Sequence, residues 1–278
     1  MKTNLVVQGP WLTEAGAQQV ARLAARSPER IAAMAFRFRN VSPSEVIASW
    51  SEKNRVDYAF VPEGRRFADL KLLAMDMDST LITIECIDEL GALAGKKAEV
   101  AAVTAQAMRG EIDYPESLRR RVAAIAGLPE AALHEIYEGR LGLTQGAEKL
   151  ISASKQHGVK LLLVSGGFTF FTERLKTRLG IDYTISNTLE VREGKLTGAL
   201  LGPIVDAEAK AGKFLEVVES LRARKEQTVA IGDGANDLKM MTKAGYSIAF
   251  RAKPVVRAQA SCAINWCGLD AVVNLFEG

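Results

Sequence analysis

Leu72-Leu73-Ala74-Met75-Asp76-Met77-Asp78-Ser79-Thr80 is a short apolar run that closes on two carboxylates. Such a run, too brief for a helix and apolar at every position, fits a strand buried on both faces of a parallel sheet. The end of such a strand opens into the ligand crevice of an α/β fold, where a side chain meets solvent and substrate while its backbone stays fixed. Two acids at that point suggest chemistry before anything else in the chain does.

The same pattern recurs further along. Thr228 to Ile231 runs into Gly232-Asp233-Gly234-Ala235-Asn236-Asp237, and Lys160 to Val164 runs into Ser165-Gly166-Gly167-Phe168. Tyr183 to Ser186 and Tyr246 to Ala249 complete the strand candidates, and most of these are separated by helical patterns. That alternation predicts an α/β fold with a doubly wound parallel sheet. The stretch 86–145 is rich in Ala, Leu, Glu and Arg without clear strands, and is expected to form a helical cap inserted between the first two core strands. Thr188 to Arg192 and Lys195 to Ala199, joined by Glu193-Gly194, predict a hairpin attached to the core.

Residues 1–68 read differently, as a small α+β domain. Short β-like runs at Asn4 to Val7, Ile31 to Val41 and Tyr58 to Val61 alternate with helical patterns near Thr13 to Ala25 and Ser44 to Ser51. The polar, turn-forming Pro62-Glu63-Gly64-Arg65-Arg66 makes a linker, and residues 69–278 form the larger domain.

Composition narrows the function classes. Over 278 residues, 25% charged and 48% hydrophobic, the net charge is only +3. This is too weak to imply nucleic acid, yet it would not repel an anionic metabolite. A small-molecule substrate is therefore the expected partner, with a homodimer allowed. Neither Met1 to Pro10 nor any later run resembles a signal peptide or a membrane span, so a cytoplasmic protein with no membrane partner is expected. Cys86, Cys262 and Cys267 lack the spacing of a zinc site or a disulfide framework and are expected to be reduced, mostly buried thiols. His134 and His157 are isolated in polar surroundings and are expected at the surface.

The acids allow two interpretations each. Asp78-Ser79-Thr80 could cap a helix, but capping explains one carboxylate and not two. A carboxylate attacking a phosphate ester is repelled by about 4 kcal/mol at ~4 Å in an effective dielectric near 20, so a cation must offset it. Asp233-Gly234-Ala235-Asn236-Asp237 could be a plain turn; paired with the first motif, its hard oxygen donors favour Mg²⁺. Ser165-Gly166-Gly167 could be a tight turn, or could offer a hydroxyl and N–H groups to phosphate oxygens. Lys210 is a solvated charge by itself and, with the other motifs, a candidate phosphate clamp.

These four pieces, in this order, resemble the haloacid dehalogenase-like phosphohydrolases, and in detail their phosphoserine-hydrolysing members. The resemblance rests on Asp76 to Leu81 with Glu85-Cys86-Ile87-Asp88-Glu89, on Ser165 to Phe168 and on Gly232 to Asp237. It covers roughly residues 71–265 and leaves residues 1–70 outside. The resemblance implies O-phosphoserine as substrate in the last step of serine biosynthesis. It implies Asp76 as the nucleophile that becomes an aspartyl-phosphate, and Asp78 as the acid that protonates the leaving oxygen and then deprotonates the water. It implies Mg²⁺ on the Asp76 carboxylate, the Asp78 backbone carbonyl and Asp233, supported by Asn236 and Asp237. Ser165, Gly166 and Lys210 would hold the phosphoryl oxygens, with Lys213 in reserve. Glu85 would face the substrate ammonium and Arg121 its carboxylate, while Met108 and Tyr114 line the cap pocket. Tyr114 departs from the family, which often has phenylalanine there.

Other functions remain open at this level. A phosphotransferase to an alcohol such as homoserine would share the fold. A phospho-accepting receiver module would share the acids and lysine, though it lacks a cap and an acid two residues after its aspartate. A carbon-halogen hydrolase would need neither the metal nor Asp78. Residues 1–68 could sense an amino acid, mediate dimerisation or be purely structural.

Overall fold

The computed structural model describes residues 2–278. No helix among them is long and apolar enough to cross a membrane. The chain begins with β1 (Thr3–Gln8), α1 (Glu14–Ala24), β2 (Glu29–Ala32), β3 (Ala35–Phe38), α2 (Glu45–Lys53) and β4 (Asp57–Pro62). The core follows with β5 (Leu72–Asp76), four cap helices α3 (Cys86–Leu93), α4 (Lys97–Met108), α5 (Tyr114–Ala124) and α6 (Ala131–Gly139), then α7 (Ala147–Gln156). It continues through β6 (Lys160–Phe168), α8 (Thr169–Leu179), β7 (Tyr183–Arg192), β8 (Lys195–Leu201) and α9 (Ala207–Ser220). It ends with β9 (Thr228–Gly232), α10 (Leu238–Lys243), β10 (Tyr246–Phe250), α11 (Pro254–Arg257), β11 (Cys262–Ile264) and α12 (Ala271–Asn274).

The core sheet has the order β11-β10-β9-β5-β6-β7-β8 and is parallel except at β8, which pairs antiparallel with β7. Its central strands are apolar throughout because both faces are covered. Leu73, Met75, Leu161, Leu163, Val229 and Ile231 face one cluster, while Leu72, Ala74, Leu162, Val164 and Ala230 face another. The chain enters at β5, runs outward through β6 and β7, and returns to β9 on the other side of β5. The sheet thus reverses direction at β5, and this topological switch leaves a crevice beyond the carboxyl ends of β5, β6 and β9.

Helices α3 to α6 form the cap, and the β7/β8 hairpin fastens it. Gly127 N–H donates to Leu196 O at 2.8 Å, Leu196 N–H to Leu128 O at 2.9 Å and Glu130 N–H to Gly194 O at 2.8 Å. Gly198 lies against this joint with φ 85°, where a Cβ would come within 2.8 Å of Ala126 Cβ. Only glycine accepts both the backbone angle and the contact. The predicted hairpin is therefore present, but its first arm is not a separate strand: β7 runs unbroken from the core into it.

The N-terminal sheet is wholly antiparallel with the order β2-β3-β1-β4, the βαββαβ arrangement of ferredoxin-like units. The single run expected over Ile31 to Val41 is two strands, β2 and β3, divided at Ala33-Met34. Leu5, Val7, Phe36 and Phe38 pack with Val20 of α1 and Ile47 of α2. The opposite face does not meet solvent, because Val6, Ala59 and Val61 join the main core cluster. Polar contacts reinforce this seam. The Asp57 carboxylate accepts the N–H groups of Asn265, Trp266 and Cys267 at 2.7 to 3.2 Å. The Arg37 guanidinium donates to the carbonyls of Asn274 and Phe276 at 3.1 and 2.7 Å. Glu277 closes the seam as a one-residue bridge, accepting Phe67 N–H at 3.0 Å and donating to Arg65 O at 2.7 Å.

Candidate active site

Asp76 is the last residue of β5, and it lies only 6% exposed at the bottom of the crevice. The chain then turns sharply, with Ser79 in the left-handed region at φ 56°. A non-glycine residue there carries local strain, which is offset by Ser79 N–H donating to Ile84 O at 3.2 Å and its hydroxyl to Glu85 Oε1 at 2.6 Å. The turn aims Asp78 at two targets. One oxygen accepts the Cys86 N–H at 2.8 Å, the first amide of cap helix α3; the other lies 3.4 Å from the Ser165 hydroxyl. Asp78 therefore caps a helix and faces the crevice at once.

Lys210 reaches the site from the first turns of α9. Asp206 caps that helix by accepting Ala209 N–H at 2.9 Å. Long helical side chains lean toward the helix start, and Lys210 Nζ ends 2.6 Å from Asp76 Oδ1 and 2.8 Å from Asp237 Oδ1, fully buried. Lys213 pairs instead with Glu216 at 2.7 Å, so Lys210 is the lysine that touches the acids. Asp237 also accepts Gly234 N–H at 3.1 Å. Asp76, Asp233 and Asp237 each offer a carboxylate oxygen within 4.8 Å of the others. This all-oxygen set, with no histidine or thiol in it, fits a small hard cation. Asp237, expected to support the site, stands beside Asp76 and Asp233, with its two oxygens accepting from Lys210 Nζ and Gly234 N–H.

Ser165, Gly166 and Gly167 lie at the end of β6, in extended backbone rather than in the tight turn expected from their sizes. Gly167 N–H donates to Ser165 Oγ at 2.8 Å. The Tyr114 hydroxyl crosses from the cap to donate to Gly166 O at 3.1 Å. Above these groups is a cleft of about 940 Å³ walled by Glu85, Met108, Tyr114 and Arg121 from the cap and by Asp233, Asn236 and Lys253 from the core. Arg121 makes only a 3.3 Å contact to Ser117 O, and its guanidinium pairs with no carboxylate among the described residues. Met108 stands at the rim, 68% exposed.

Negative charge dominates the site. Burial first, and then the charge of Asp237, hold the Asp76 carboxyl well above the usual range despite Lys210. Burial also raises Asp78, against the hydrogen bond from Cys86. Asp233 is pushed up to about 6 by burial and by Asp237. Glu85 is open to solvent on one side, yet burial of its remaining surroundings and the charge of Asp78 push it up to about 7. Burial works against the Lys210 ammonium, but Asp237 and Asp76 outweigh it and keep the group charged. A site that strains to keep its acids ionised is a site that gains from a cation.

The model of the haloacid dehalogenase-like hydrolases matches residues 73–242. The chain belongs to the haloacid dehalogenase-like hydrolases. A phosphoserine phosphatase of Polaromonas sp. is 54% identical over 217 residues, 76% of this chain and 92% of that protein. A probable phosphoserine phosphatase from Vibrio cholerae, solved without ligand, is 37% identical with a TM-score of 0.86, covering 99% of this chain and 86% of that one. A HAD family hydrolase from Salmonella enterica serovar Typhi is 30% identical with a TM-score of 0.90, covering 99% of this chain and 98% of that one. The N-terminal unit is thus part of what these two solved hydrolases share with this one.

In this hydrolase the residues singled out from sequence converge on one cleft. Asp76, Asp78 and Asp233 line its floor and Gly166, Glu85, Tyr114, Arg121, Met108 and Asn236 its walls, while Lys210, Asp237 and Ser165 lie fully buried beneath, in contact with the floor acids or with Lys210. Sequence reasoning missed Lys253, which follows β10, lines the cleft and donates its N–H to Asp233 O at 3.1 Å. Its place just past a core strand was the available signal. It also missed Asn187, whose side-chain contacts have no local sequence signature.

Proposed function

We propose that this hydrolase is a phosphoserine phosphatase that uses Mg²⁺ and converts O-phosphoserine to serine and phosphate, the closing reaction of serine biosynthesis. The observation that carries the proposal is the placement of Asp76 beneath a cleft whose cap wall presents Glu85 and Arg121, an acid and a base suited to an ammonium and a carboxylate. The 54% identity to the Polaromonas phosphoserine phosphatase supports the same substrate.

Asp76 attacks phosphorus and becomes an aspartyl-phosphate, so one difficult displacement is split into two. Asp78, whose burial favours the protonated form, gives its proton to the seryl oxygen as that oxygen leaves, and in the second step takes one from the attacking water. Ser165 and the backbone of Gly166 and Gly167 receive the phosphoryl oxygens, and Lys210 neutralises charge on Asp76 and on the phosphoryl group. Asp76, Asp233 and Asp237 would hold Mg²⁺, which supplies the positive charge that lets one anion approach another. Arg121 suits the substrate carboxylate because its planar fork can bind two oxygens at once. Met108 closes the rim of the pocket.

The test is phosphate release from phosphoserine, phosphothreonine, sugar phosphates and an aryl phosphate, with Mg²⁺ and with chelator. Phosphoserine should be preferred, chelator should stop the reaction, and Asp76→Asn should abolish it. Turnover that survives in Asp76→Asn removes this residue as nucleophile, and a preference for sugar phosphates removes the substrate. Adding homoserine and finding it phosphorylated at the expense of free phosphate would favour a phosphotransferase instead.

A further inference from the structure

Asn187 lies on β7 and is 2% exposed. Its amide Nδ2 donates to Gly166 O at 2.8 Å and to Gly167 O at 3.4 Å, while its Oδ1 accepts Val205 N–H at 2.8 Å. The ladder between β6 and β7 explains why a side chain is needed. Leu162, Leu163 and Val164 pair in register with Tyr183, Thr184 and Ile185, and the next pair is Phe168 with Asn187. Ser165, Gly166 and Gly167 fall where that register is interrupted, and the amide of Asn187 donates to two of their carbonyls.

We propose that Asn187 is the positioning residue of the phosphoryl site, orienting the Ser165-Gly166-Gly167 peptides toward the substrate and tying them to the Lys210 helix. The proposal rests on the phosphatase function given above. A trans peptide is planar, with C=O and N–H pointing in opposite directions. Holding Gly166 O on the Asn187 amide therefore sets the direction of Gly167 N–H, which meets Ser165 Oγ, itself 3.4 Å from Asp78. The second half of the amide acts on the opposite wall. Val205 precedes Asp206, the cap of the helix that carries Lys210, so one planar group spans both parts of the oxyanion machinery. The pattern asks for a donor and an acceptor on one short side chain, which asparagine supplies and aspartate or leucine does not. The Tyr114 hydroxyl reaches the same Gly166 carbonyl from the cap, so cap closure and loop orientation meet at a single acceptor.

Asn187→Asp retains the acceptor for Val205 and loses the donor, placing a carboxylate against two carbonyls. With phosphoserine its kcat should fall roughly 10- to 100-fold, as misplaced oxyanion donors commonly cause. Inhibition by inorganic phosphate should weaken by about tenfold or more, while KM for phosphoserine, carried largely by Glu85 and Arg121, changes by less than about threefold. A purely structural role would lower the melting temperature and leave kcat and phosphate inhibition of the folded protein alone. Wild-type kcat and phosphate inhibition in folded Asn187→Asp would overturn the inference. If Asn187→Asp does not fold, Asn187→Ser, too short to reach both carbonyls, decides it by the same two readouts. A wild-type protein that releases phosphate from no ester sinks the functional proposal and this inference with it; an active wild type beside an unimpaired variant sinks this inference alone.

Discussion

Replacing Lys210 by methionine removes a charge while nearly preserving volume, and the structure gives the size of the effect. The ammonium is fully buried between Asp76 at 2.6 Å and Asp237 at 2.8 Å. Removing one partner of a buried ion pair costs about 3–5 kcal/mol, because the remaining charges stay buried and uncompensated. For a chain of this size that corresponds to a drop of roughly 5–9 °C in melting temperature. The loss should depend on pH in a definite direction. Asp76 already titrates above its unfolded value, and without Lys210 it would do so further. A carboxyl group raised on folding contributes stability below its unfolded pKa and loses it as pH rises through the folded value. The deficit of Lys210→Met against wild type should therefore be smaller near pH 5 than near pH 8, and added Mg²⁺ should raise the melting temperature of the variant more than that of wild type. Thermal unfolding followed by circular dichroism in chelator and in Mg²⁺ at both pH values measures this. A deficit equal at both pH values would mean that Lys210 acts through packing, and the electrostatic account of the site would fail.

Three further outcomes are expected. Arg121→Ala should raise KM for phosphoserine by about 10- to 100-fold, the worth of a charge-assisted hydrogen bond, and leave an aryl phosphate almost unaffected; equal losses on both would remove Arg121 from carboxylate recognition. Glu85 is pushed up to about 7, so it gains the charge needed to hold an ammonium as pH rises through that value. Apparent affinity for phosphoserine should accordingly improve between about pH 6 and 8, and in Glu85→Gln that improvement should disappear; an identical pH profile in the variant refutes the role. Asp57→Ala leaves the N–H groups of Asn265, Trp266 and Cys267 without their acceptor. A loss of about 2–4 kcal/mol in stability with kcat unchanged at 25 °C is expected from unsatisfied buried donors, and an unchanged denaturation midpoint would show the clamp to be idle.

Much of the fold was legible because its central strands are buried on both faces and so appear as unbroken apolar runs that end on polar residues. Asp76, Ser165 and Asp233 stand at or next to the ends of such runs, which is why they could be found without coordinates. The edge was harder. β11, Cys262–Ile264, is three residues long and pairs with a single neighbour, so it leaves too short a pattern to read. The break between β2 and β3 falls at Ala33-Met34, where no glycine, proline or asparagine marks a turn. Asn187, Lys253 and Asp57 were invisible for a different reason. Each acquires its role from a partner brought near only by the tertiary fold, and a lone amide, amine or carboxylate has no local pattern. The N-terminal sheet was visible in short β-like runs such as Asn4 to Val7, but the burial of its second face depends on residues more than two hundred positions away.

That seam also constrains the order of events during synthesis. Residues 3–62 leave the ribosome well before residues 265–277 and can pair their strands early, yet one side of their sheet stays bare, with Arg37 and Asp57 lacking these partners, until residues 265–277 have been made. Contacts of such long sequence separation close late and slowly. The nascent chain consequently carries an uncovered β-surface over the 208 positions that separate Asp57 from Asn265.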